Sequence, residues 1–155
     1  MDLSDYADNE CSCKDCKDAC KYVPCWGTPD EIRFLIFSGY GKRLMMHVLS
    51  RNDFGARPKD GNYFDNTIRV ISPAFVGNLG RLTVSPGSTG RCTFLTKGGL
   101  CELHDKNLKP LEGRIESHEM SAEEAIIIRR EIFRMWDNQV GKSLSEDWSR
   151  KYFKS

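Results

Sequence analysis

At 155 residues, with 39% hydrophobic residues, eight Phe, five Tyr and three Trp, the chain is sized for one domain with a genuine core. Its 23 basic and 22 acidic residues leave a net charge of +1, which gives no global attraction for nucleic acid or anionic membranes, so neither is an expected partner. The start, MDLSDYADNE, is acidic and lacks an apolar h-region, and no apolar run approaches the ~18 residues of a bilayer span. The expectation is a cytoplasmic protein.

First in chain order comes CSCKDCKDACKYVPC, which crowds Cys11, Cys13, Cys16, Cys20 and Cys25 together ahead of any core-forming stretch. A disulfide scaffold, redox thiols and metal ligands are the three uses of such a group. Disulfides do not persist in a reducing compartment, seven cysteines is an odd count, and Cys11 and Cys13 are poorly placed to bridge each other. Burying all five as small hydrophobes conflicts with a stretch as polar as KDCKDACK. Metal ligation fits best, because Cys13 and Cys16 have the CxxC spacing that delivers two sulfurs to one ion.

Next, WGTPDEIRFLIFSGYG predicts a helix with Thr28 as N-cap, Pro29 in its first turn and Glu31 closing a capping box. Ile32, Leu35 and Ile36 form its apolar face, and Gly39 or Gly41 ends it. KRLMMHVLSR reads as a second short helix, with His47 a packed structural histidine. From Asn52 to Gly90 the chain is irregular, broken by TIRVIS and GRLTV, whose β-branched content predicts short strands.

RCTFLTKGGLCELHD then predicts a hairpin about KGG with Cys92 and Cys101 on neighbouring strands. Cys101 and His104 form CxxH, a mixed sulfur and nitrogen pair suited to zinc, with Glu102 and Asp105 near enough to orient the imidazole. In the C-terminal part, 121–155, Ser121 and Glu124 make a second capping box. Ala125, Ile128, Ile132 and Met135 give that helix one apolar stripe, Gly141 ends it, and SLSEDWSRKYF offers a short last helix. His118 reads as solvated.

The candidate ligands are thus Cys11, Cys13, Cys16, Cys20, Cys25, Cys92, Cys101 and His104, too many for one ion. Either two metals are held or some thiols are spectators, and an iron–sulfur cluster needing four cysteines would leave others over.

The crowded N-terminal cysteines, followed much later by CTFL, GLCELHD and KPLEGR, resemble the YkgJ-like or CxxCxxCC cysteine-cluster family, described as a zinc- or iron-chelating domain. The resemblance spans residues 11–114. It implies ligand roles for Cys13, Cys16, Cys20, Cys92 and Cys101, with Cys11 and Cys25 matched less closely. The family pattern RPxxCR meets KPLEGR here, so Gly113 stands where a cysteine is expected, with His104 the expected replacement donor through its CxxH spacing from Cys101, and Cys11 or Cys25 the alternatives.

The sequence-level expectation is therefore a small α+β protein with a single domain over 1–155, a metal-binding N-terminal loop, a short hairpin and several helices. Its cofactor is zinc, favoured by the CxxC and CxxH spacings, or else iron or an iron–sulfur cluster. The first functional reading is metal chelation with a structural ion, in a site built jointly from the N-terminal cysteine loop and the hairpin pair Cys92 and Cys101, which are expected to lie close in space. An iron–sulfur protein in redox or enzyme modification is the alternative, and a zinc-dependent nucleic-acid module comes third. A Cys–His nucleophile lacks any accompanying signature, and the basic stretches IIIRREIFR and WSRKYFK read as solvated helix faces.

Overall fold

The structure, a computed structural model, describes residues 24–54, 66–83, 90–115 and 120–154. Among these, helices pack with a small mixed sheet, in agreement with an α+β class. Helix α1, Pro29–Leu35, begins as its sequence dictates: the Thr28 hydroxyl accepts from Glu31 N, and the Glu31 carboxylate accepts from Thr28 N. The chain continues through a π-helical turn, Ile36–Tyr40, in which Gly39 adopts φ 94°, a left-handed conformation that stops the helix.

LMMHVLS is a strand and not the expected helix. β1, Leu44–Ser50, is central, with β2, Thr67–Pro73, antiparallel on one side and the two-residue β3, Leu82–Thr83, parallel on the other. Leu44, Met45, Met46 and His47 are all buried, so the run is apolar on both faces. A buried central strand and a buried helix share that pattern, and tertiary pairing overrides the helix preference of Leu and Met. The strands expected at TIRVIS and GRLTV are β2 and β3.

The KGG turn forms, with Thr96 N bonding to Leu100 O and Glu102 N to Phe94 O, but its arms are not extended strands. Leu95 is the residue opposite Cys101, while Cys92 bridges to Phe75. The two cysteines are therefore not cross-strand partners. The turn between them, where Leu95 N bonds to Cys92 O, bends the first arm away from the second.

After the one-turn helix α2, Leu111–Ile115, come α3, Ala122–Trp136, and α4, Gln139–Tyr152. Ser121 caps α3 by accepting from Glu124 N. Ile128 and Ile132 are buried as expected, and Phe133 and Trp136 widen the buried face. α3 ends at Trp136, before Gly141. Asn138 starts α4 by accepting from Gly141 N, and Gly141 is needed for packing: a β-carbon there would lie 2.4 Å from the Trp136 carbonyl oxygen. Trp136 Nε1 donates to Gly27 O and Trp148 Nε1 to Gly41 O, so both long helices are pinned to the segments flanking α1.

Candidate metal centre

Of the five N-terminal cysteines, Cys25 lies within the described residues; Cys11, Cys13, Cys16 and Cys20 lie outside them, as does His118. Cys25 is buried, next to the start of the first described segment. Its neighbour Trp26 is the anchor. The indole packs 4.2 Å from the His47 ring and edge-on, 4.7 Å, to Phe133.

The KPLEGR segment closes over this anchor. Trp26 N donates to the buried Glu112 carboxylate at 3.2 Å, and Glu112 N returns a bond to Trp26 O at 3.0 Å. The other carboxylate oxygen of Glu112 accepts from Arg129 Nε on α3. Glu31 serves two donors besides closing its cap: in addition to Thr28 N, its carboxylate accepts from Leu111 N at 3.1 Å and from Arg114 Nη2 at 2.7 Å. Two buried or half-buried carboxylates thus lock residues 110–114 onto residues 25–31, each with charge-assisted bonds.

This docking places Gly113 directly against Cys25. A β-carbon on Gly113 would lie 2.9 Å from the Cys25 sulfur and 3.2 Å from Lys109 Cε. Gly113 therefore adjoins a thiol of the N-terminal group, so a side chain there would project onto the Cys25 sulfur.

The downstream candidates have other surroundings. Cys92 is only 3% exposed and belongs to the apolar core with Phe94 and Leu95. Cys101 is half-buried against that core, and His104 is exposed in a 3₁₀ turn, His104–Lys106. Among the described residues no three of His, Cys, Asp and Glu gather closely enough to hold an ion. Glu102, expected to orient His104, instead takes a bidentate bond from Arg43, which holds its carboxyl below the usual carboxylate range. The same guanidinium donates to Thr93 O and lies 4.2 Å over the Phe94 ring, which ties the KGG turn to the exit of α1.

His47 is buried as expected, although on a strand. Its Nε2 is 2.8 Å from Ser72 Oγ, whose own hydrogen is directed to Pro73 O, so Nε2 carries the proton, and Nδ1 has no hydrogen-bond partner among the described residues. Desolvation pushes its pKa down to about 3, so the ring is neutral.

Sequence reasoning missed Glu112 and the second role of Glu31. A carboxylate two residues after a proline carries no local signal of burial, and its partners, Trp26 and Arg129, are distant in the chain. No family model matches the chain, and neither does any curated protein or solved structure.

Proposed function

We propose that the protein is a metal-chelating cysteine-cluster protein in which thiolates of the N-terminal group, Cys25 among them, hold zinc or iron. The observation that carries this reading is the contact between Gly113 and Cys25. Segment 110–114, which the resemblance would have deliver a ligand, is held against residues 25–31 by Glu31 and Glu112, and this supports the reading. With glycine in that place, the missing donor comes from the thiols of Cys11, Cys13, Cys16 and Cys20. Cys92 serves the core, and the ion is structural, fastening the N-terminal stretch to the body. Zinc is favoured because an all-thiolate tetrahedral site suits it and needs no redox partner.

Elemental mass spectrometry on protein purified without a metal-binding tag tests the reading. Zinc or iron is expected at one or more per chain, with loss on Cys25→Ser or Cys13→Ser and retention on Cys92→Ser. Metal content indifferent to Cys25 and Cys13 would sink it. A brown protein with visible absorbance after anaerobic purification would select the iron–sulfur alternative.

A further inference from the structure

We infer that the surface around Tyr152 binds the phosphate backbone of a single-stranded nucleic acid. Three stretches meet there: GKRLMM at 41–46, NLGRLT at 78–83 and WSRKYFK at 148–154. None contains Asp or Glu. Their convergence is fixed by close contacts. A β-carbon on Gly41 would strike the Tyr152 ring at 2.4 Å, and one on Gly80 would touch Tyr152 O at 3.0 Å and the Lys154 stem at 3.3 Å. Lys154 N bonds to Gly80 O, and Gly80 N bonds to Leu44 O.

Of the six cations in these stretches, Arg43 pairs with Glu102 and Arg150 with Asp147. Lys42, Arg81, Lys151 and Lys154 are exposed and have no carboxylate partner among the described residues. Four cations without an ion pair on adjoining segments concentrate positive charge that the chain-wide charge of +1 conceals, with Asp147, engaged by Arg150, one turn before Lys151. The patch also carries exposed apolar side chains. Leu82 is 39% and Phe153 38% exposed, which leaves the Phe153 ring open for an unpaired base to stack on it. That combination of cations with an exposed ring fits a single strand better than a lipid surface or a duplex.

The test is fluorescence anisotropy with labelled oligo-uridine and oligo-thymidine, alongside co-sedimentation with phosphatidylserine-containing vesicles, on the full chain as purified. Four released counterions on a single strand imply an affinity loss of about 50-fold between 50 and 200 mM salt. The combined variant Lys42→Ala, Arg81→Ala, Lys151→Ala and Lys154→Ala should abolish both the binding and its salt slope, with an unchanged circular dichroism spectrum. Arg81→Glu alone is a milder probe and should weaken binding in the same direction. Phe153→Ala should cost at least about fivefold with the salt slope intact, as loss of one stacked base would. Binding that ignores these variants, a parent that binds neither oligonucleotide, or one that sediments with vesicles alone would each overturn the inference.

Discussion

Gly113 faces Cys25 so closely that a β-carbon on the glycine would lie 2.9 Å from the cysteine sulfur and 3.3 Å from its Cβ. The contact joins the last cysteine of the N-terminal group to a helix far along the chain, and it makes the two positions energetically coupled. In metal-free protein, Gly113→Ala gains ~1 kcal/mol of helix propensity and loses ~1–3 kcal/mol to overpacking, for a net destabilisation of about 1 kcal/mol. With Cys25→Ala beside it, the 2.9 Å contact with the sulfur is removed while Lys109 Cε and the residue 25 β-carbon stay at 3.2 and 3.3 Å, so the same substitution should be clearly less destabilising. A double-mutant cycle by urea unfolding measures this, and simple additivity would show that the two residues do not compete for space.

Glu112 is the buried link between Trp26 N and Arg129. Glu112→Gln keeps an acceptor for the amide and surrenders the ion pair to a half-exposed arginine, so it should cost only about 1 kcal/mol. Glu112→Ala leaves the buried Trp26 amide without that partner and should cost ~2–3 kcal/mol. Equal effects of the two in chemical denaturation would mean that the carboxylate's charge, and not the amide bond, dominates.

Thr28 and Glu31 form one capping box but should not be equivalent. Thr28→Ala removes an N-cap and should cost about 1 kcal/mol. Glu31→Ala removes the reciprocal cap bond together with the bonds to Leu111 N and Arg114, so it should cost at least about twice as much. It should also speed amide exchange across residues 110–114, which Thr28→Ala should leave protected.

His47 makes stability depend on pH. Its folded pKa of about 3 lies below the ordinary 6.5, so the unfolded chain binds the extra proton between those values. The contribution is fully present above pH 6.5 and is lost as pH falls towards 3, at about 1.4 kcal/mol per unit within that window. Unfolding free energy should accordingly drop by about 2 kcal/mol from pH 7 to pH 5 from this residue alone. Nuclear magnetic resonance titration should find the His47 ring neutral at pH 5; a ring protonating near pH 6 would contradict the burial argument.

Local chemistry is where the sequence was sufficient. Thr28 with Glu31, Ser121 before Glu124, Gly39 at a helix end and β-branched TIRVIS each act through neighbours a few residues away, so their roles were readable without a fold. LMMHVLS was not, because a run buried on both faces has the same pattern as helix or strand, and only pairing with Ile68, Val70 and Leu82 decides between them. Gly141 reads as a stop signal and is in fact a packing residue, since the carbonyl it must clear belongs to the preceding helix.

The crowding of the N-terminal cysteines is plain in the sequence, but which remote residue lies against Cys25 is a matter of long-range contacts. The sequence by itself determined the thiols and the helix caps. Only the tertiary structure, through the carboxylates of Glu31 and Glu112, decided that Gly113 lies against Cys25 while Cys92 sits in the core, because hydrogen bonds between distant segments leave no periodic trace in the chain.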